Sequence, residues 1–196
     1  IGGFGDEWSR FTNQSLADTE LQEMFDLYAT VFPWEELADD AVGFDAGCGS
    51  GRWATFFAPR VGVLHCIDAS EAALQVARQT LRGQTNVEFH LQDLCELGLS
   101  DESCDFGYSL GVLHHIPDTE LATASCVQKL KPGAPFLVYL YYDLEDRGWF
   151  QKLLLRIVTA TRHVVARLPR VPRMIVADAI AAFVYWPMAK FANLLD

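Results

Sequence analysis

The sequence predicts an α/β fold built on a doubly wound, mainly parallel sheet, with an N-terminal helical segment and a C-terminal helical extension. Three observations predict it. Strand-length apolar runs recur between residues 41 and 142, alternating with stretches of helical spacing. One of them, Val61–Ile67, is apolar almost throughout, as a parallel strand buried on both faces should be. Residues 41–51 then join a short strand to a glycine-rich turn and a helix, the arrangement that sets a small charged ligand against bare backbone. A chain of 196 residues, 51% of them apolar, is long enough for one packed domain with an appendage.

The elements follow in order. Residues 15–32 have Leu16, Leu21, Met24, Phe25, Tyr28 and Val31 roughly on one helical face, and Pro33 stops the run. Ala41–Phe44 is the first strand. It breaks into Asp45 and three alternate glycines, Gly47, Gly49 and Gly51, after which Arg52–Ala58 reads as a helix. Spacing separates the ligand classes that use such a turn. A phosphate-binding loop needs a Gly-Lys-Ser/Thr ending, and no Lys is near. A dinucleotide fingerprint needs a third glycine where Arg52 stands. The remaining pattern, Asp-x-Gly-x-Gly-x-Gly, resembles the first motif of class I S-adenosylmethionine-dependent methyltransferases. Taken alone it could also be a tight strand-to-helix turn without a ligand.

The rest of the chain favours the resemblance. The second strand ends in Asp68, 17 residues after Gly51, followed by Ala69. An acidic side chain there can accept hydrogen bonds from both ribose hydroxyls. Ser70 caps a helix to Leu81, with Glu71 in its first turn. Val87–Leu91 alternates apolar and polar as a third strand, and Asp93-Leu94 follow it. The resemblance implies that Asp93 bonds the adenine amino group and that Leu94 flanks the ring; otherwise Asp93 caps a turn. Phe106–Leu110 is the fourth strand, and the stretch after it resembles the family's fourth motif, which implies that Ser109, Leu110 and the residues to His115 line the path between methyl group and substrate. Asp118 or Thr119 caps the next helix, Lys131-Pro132-Gly133 ends it, and Pro135–Tyr142 is the fifth strand. The implied cofactor set is Asp45, Gly47, Cys48, Gly49, Gly51, Asp68, Ala69, Asp93, Leu94, Ser109 and Leu110. His114 and His115 are the candidate general bases, since imidazoles titrate near neutrality; packing residues at a strand end are the alternative. Tyr108 and Tyr141 read as core.

Organisation follows as residues 1–40, an aromatic and helical segment; 41–146, the cofactor-binding core; and 147–196, a basic helical extension. Phe4, Trp8 and Phe11 either fold over the cofactor as a lid, as the resemblance implies, or pack on the body. The resembling fold, a Rossmann-like one, has seven strands; five are visible here, so the last ones read as absent and the chain as a piece of a longer protein. No initiator Met is present. Residues 1–146 carry 7 Lys+Arg against 24 Asp+Glu, a net −17 that disfavours nucleic acid as substrate. Residues 147–196 carry 8 against 2, a net +6. Helix 149–168 sets Lys152, Arg156, Arg162 and Arg167 beside an apolar face and could lie on an anionic membrane surface. A packed helix or a roof over the substrate pocket is favoured. Five cysteines without a Cys-x-x-Cys pair, and no secretory signal, point to reduced thiols, a cytoplasmic location and no metal.

The resemblance therefore implies methyl transfer from S-adenosyl-L-methionine to an O, N or C atom of a small molecule, leaving S-adenosyl-L-homocysteine. The branch most similar is that of the quinone-biosynthesis and polyketide methyltransferases. A non-catalytic cofactor-binding partner subunit is the first rival, and a nicotinamide-dependent oxidoreductase the second. Oligomeric state is not legible.

Overall fold

The computed structural model describes residues 18–141, 148–180, 183 and 186–187. It divides into two units, 1–141 and 142–196. In the first, helix α1 (Asp18–Ala29) precedes strand β1 (Val42–Ala46), helix α2 (Ala54–Phe57), β2 (Val63–Asp68), α3 (Glu71–Thr80), β3 (Val87–Leu91), β4 (Phe106–Leu110), α4 (Thr119–Lys129) and β5 (Phe136–Tyr139). In the second, α5 is Trp149–Ala166 and α6 is Arg170–Ile180. No helix among the described residues is long and apolar enough to cross a membrane.

All five strands are parallel, in the order β3-β2-β1-β4-β5. The chain winds outward from β1 to β3, then crosses back to β4. A crevice opens at the C-terminal ends of β1 and β4, where strand order reverses. Register at that junction is set by shape. Gly43 lies opposite Phe106 and Phe44 opposite Gly107. A Cβ on Gly43 would stand 2.2 Å from the Phe106 ring, and one on Gly107 2.3 Å from the Phe44 ring. Each aromatic ring thus occupies the space its glycine neighbour leaves, and a slip of one residue would put ring against ring.

Two buried clusters cover the sheet faces. One gathers Phe25 and Ala29 of α1 with Trp53, Phe57, Leu64, Phe106 and Tyr108. Its rings are in close contact, Phe57 stacking on Tyr108 with centroids 3.9 Å apart and Phe25 on Phe56 at 4.4 Å. The other holds Phe44, Ala46, Ile67, Leu94, Leu113 and Cys126. Each large side chain so buried contributes about 1.5–3 kcal/mol.

The expected elements are present with small boundary shifts. Ser70 Oγ accepts from Ala73 N at 3.4 Å, and Asp118 Oδ1 from Leu121 N at 2.9 Å, so both anticipated caps form. The helix expected over 52–58 is a correction. Only Ala54–Phe57 is α-helical, and the chain tightens into a 3₁₀ turn at Ala58–Arg60. Pro59 in that turn has no N–H to continue an α-helical ladder. The expected N-terminal helix begins at Asp18 and ends at Ala29; residues 15–17, and the lid candidates Phe4, Trp8 and Phe11, lie outside the described residues. In the extension, α6 starts at Arg170 and takes in Pro172 within its first turn, where a missing N–H costs nothing.

Candidate active site

The cleft begins with the turn after β1. Gly47, Gly49 and Gly51 have φ of +85°, +55° and +76°, a conformation that favours glycine. The amides of Gly47 and Cys48 both donate to Ile67 O, at 2.8 and 3.0 Å. Gly49 N donates to Asp68 Oδ2 at 2.9 Å, and Ser70 N to Asp68 Oδ1 at 2.9 Å. One carboxylate therefore ties the glycine turn to the end of β2 and opens the next helix. At Gly47 space is also short: a Cβ would come 2.4 Å from Val112 Cγ1, beyond β4.

Around this floor stand Tyr28, Ser50, Arg52, Trp53, Leu110, Gly111, Val112, Tyr139 and Tyr141, together enclosing about 610 Å³ of space open to solvent. Helix α1 supplies Tyr28, whose ring meets Trp53 at 5.3 Å and Tyr139 at 4.7 Å. Arg52 is the one cation among the described lining residues, with its guanidinium 4.4 Å over the Trp53 ring. Its Nε is buried without a hydrogen-bond partner among the described residues. Burial lowers the Arg52 pKa from its ordinary value, against the raising effect of Tyr28 and Tyr141. Burial, then the neighbouring Tyr139, raises that of Tyr28.

The expected residues divide. Gly47, Cys48, Gly49 and Leu110 line the cleft, and Asp68 reaches it through Gly49. Gly51 lies beneath, against Leu81 and Ala77 of the α3 region. Asp45 and Ser109, expected at the cofactor, are buried within the sheet instead. Ser109 Oγ donates to Ala46 O at 2.8 Å, a bond between strands. Asp45 is 2% exposed with Oδ2 unpartnered, and burial, aided by the charge of Asp68 and opposed by Tyr108, pushes its pKa up to about 8. Burial thus favours its neutral form. Cys48 is likewise no nucleophile: a hydrogen bond with Cys66 and burial push its thiol up.

Ala69 and Asp93 are exposed beyond the cleft wall, and Asp93 Oδ1 accepts from Cys95 N at 2.9 Å, so the turn-capping role is present. The Leu94 side chain is buried in the second core cluster, so a role in flanking a ring falls to its backbone. His114 and His115 lie just outside the cleft in a 3₁₀ turn. The His114 ring is 4.3 Å from that of Tyr141, and both its nitrogens are buried without partners among the described residues. Tyr141, expected in the core, is 62% exposed and forms cleft wall, whereas Tyr108 is core as expected. Arg52, Trp53, Tyr28 and Tyr139 went unread as site residues; Arg52 directly follows the glycine motif, and that adjacency was the available signal.

Residues 44–138 match a family model described as "Methyltransferase domain". Over 91 residues the chain is 40% identical to a ubiquinone biosynthesis O-methyltransferase of Alkalilimnicola ehrlichii, covering 45% of this chain and 37% of that one. It is 33% identical over 100 residues to phosphoethanolamine N-methyltransferase 2 of Caenorhabditis elegans, covering 50% of this chain and 23% of the relative. Among solved structures, the YcgJ protein of Bacillus subtilis superposes with a TM-score of 0.56 at 26% identity, over 66% of this chain and 53% of that one. The chain thus spans about half or less of the length of these relatives.

Residues 44–138 thus resemble methyltransferase domains of the class I, S-adenosylmethionine-dependent kind, among them that of a ubiquinone biosynthesis O-methyltransferase. The cleft fits that cofactor: an orphaned guanidinium nitrogen, a glycine cradle with no room for a Cβ, and an aspartate with no cation among the described residues converge on one crevice.

Proposed function

We propose that the chain transfers the methyl group of S-adenosylmethionine to an O, N or C nucleophile of a small molecule, with the cofactor seated on the Gly47–Gly51 turn. The observation that carries this is the pairing of Asp68 with Gly49 in the same cleft as Arg52, whose Nε has no hydrogen-bond partner among the described residues. Each oxygen of Asp68 has one lone pair committed to a backbone N–H and another for a ribose hydroxyl. Arg52 takes the carboxylate at the amino-acid end of the cofactor. Asp93 keeps Oδ2 for the adenine amino group. S-adenosylmethionine held there would supply an electrophilic methyl on its sulfonium, for the acceptor to displace with S-adenosylhomocysteine as the leaving group.

Because the sulfonium charge is lost along this path, stabilising it strongly in the ground state would slow the step. Tethering the ribose and the carboxylate leaves the binding energy at the two ends and uses it for alignment. A hydroxyl acceptor must also lose a proton. Tyr141 in the wall and His114 and His115 behind it are the groups placed to receive it, directly or through one another. The relatives include an O- and an N-methyltransferase of small molecules, which supports that acceptor class.

Calorimetric titration with S-adenosylhomocysteine and with 5′-methylthioadenosine, which lacks the amino-acid end, tests the seating. Arg52→Met should weaken the first by about 10–100-fold, the worth of a charge-assisted pair, and leave the second unchanged. Equal loss for both ligands would contradict the assignment of Arg52. Failure of the folded chain to bind either would contradict the cofactor reading. Release of S-adenosylhomocysteine on adding acceptors to the loaded chain would separate a catalyst from a cofactor-binding partner subunit.

A further inference from the structure

We propose that His65, Glu88 and His90 form a binding site for a divalent transition-metal ion of the Zn²⁺ type, outside the cofactor cleft. His65 lies on β2 directly across from Glu88 on edge strand β3, and His90 is two residues further along the same strand. Strand alternation therefore puts all three side chains on one face of the sheet, the face to which Phe44 and Ile67 also point. The three donor atoms converge. His65 Nδ1 is 3.1 Å from His90 Nε2 and 3.3 Å from Glu88 Oε2, and His90 Nε2 is 3.9 Å from Glu88 Oε2.

Those separations match a coordination triangle. A point equidistant from the three atoms lies about 2.0 Å from each, the usual Zn–N and Zn–O bond length. Hydrogen bonding serves the trio less well, because one proton on His65 Nδ1 cannot satisfy both an imidazole nitrogen and a carboxylate oxygen. One ion takes all three lone pairs at once. The His65 and His90 side chains are 15% and 24% exposed and that of Glu88 60%, so the fourth position opens to solvent. Two imidazoles and a carboxylate are a donor set that Zn²⁺ accepts, and the ion would fasten the edge strand to β2.

No reading of sequence spacing pointed here. Glu88 and His90 are marked only as alternate residues of a strand, and His65 joins them through register. The proposal is independent of methyl transfer, since none of the three lines the cleft.

Equilibrium dialysis of the purified chain against Zn²⁺, with Co²⁺ as a spectroscopic substitute, tests it. Wild type should retain one equivalent, show the visible d–d absorption of a tetrahedral Co²⁺ centre, and gain roughly 5–10 °C in Tm at Zn²⁺ about 100-fold above Kd. Glu88→Gln, at an exposed position that leaves the core untouched, should weaken binding at least about ten-fold, and His65→Ala or His90→Ala should abolish it. A double substitution of His114 and His115 should leave it unchanged. The proposal fails if folded wild type retains no Zn²⁺, leaving a hydrogen-bonded trio only, or if Glu88→Gln binds as wild type does. It fails equally if retention follows His114 and His115.

Discussion

Two aspartates at opposite ends of the sheet do similar work under different electrostatics. At the N-terminal end, Asp105 Oδ2 accepts from Val42 N at 2.9 Å, and its Oδ1 meets Lys131 Nζ at 2.6 Å. At the C-terminal end, Asp68 accepts from two backbone amides, and among the described residues no cation pairs with it. Burial alone would raise the Asp105 pKa, but the bonds from Lys131 and Val42 outweigh it and hold the carboxyl below its ordinary value. A carboxylate whose whole task is to fix β1 beside β4 is neutralised within the fold. Asp68, on the proposed reading, also meets a ligand and keeps its remaining lone pairs for it. The proposal thus separates a structural acid from a binding one where residue type does not.

Breaking the binding end should have the largest effect. Asp68→Ala leaves Gly49 N and Ser70 N without acceptors, at about 1–3 kcal/mol each if no water replaces them, and should lower S-adenosylhomocysteine affinity at least about 100-fold. Circular dichroism and calorimetry on the same sample check both parts.

Asp45 gives a third case, an acid buried beside Asp68 with no cation paired to it among the described residues. Its folded pKa of about 8 stands above the ordinary 3.8. The unfolded chain therefore holds fewer protons than the folded one between those values, and Asp45 makes stability fall as pH rises across that window. Asp45→Asn should remove this slope, worth on the order of a few kcal/mol between pH 4 and 8, as read from urea unfolding at a series of pH values.

The smallest effect belongs to the neutralised end. Lys131 and Asp105 are 48% and 33% exposed, so Lys131→Met should cost no more than about 1 kcal/mol and leave cofactor affinity unchanged. With its pKa depressed in the fold, Asp105 stabilises above the ordinary carboxylate range and loses that contribution as pH falls through its folded value. The variant should accordingly unfold at a slightly higher pH on acidification.

The comparison also explains how much the sequence told. Strands and caps were legible because each has a local cause: the apolar run at 61–67, Ser70 before Glu71, Asp118 before Thr119. Asp68 was legible because a strand's end places it. Asp45 and Ser109 lie buried among the sheet's own groups, Ser109 bonded to Ala46 O, a depth that spacing along the chain does not show. Tyr28 comes from α1 and the Tyr139–Tyr141 pair from the end of β5, and they meet only in the folded chain. Arg52 sat beside the motif in plain view. Its role emerged from an unpartnered Nε, which is a property of packing.

The most direct test of the account is titration of S-adenosylhomocysteine into wild type, Asp68→Ala and Lys131→Met, each confirmed as folded; Asp68→Asn, which keeps one acceptor oxygen, stands in if the alanine variant does not fold. Wild type and Lys131→Met should bind alike, and the Asp68 variants should bind far more weakly or not at all. Wild-type affinity in a folded Asp68 variant, or equal losses at both ends of the sheet, would contradict the division between a structural and a binding aspartate.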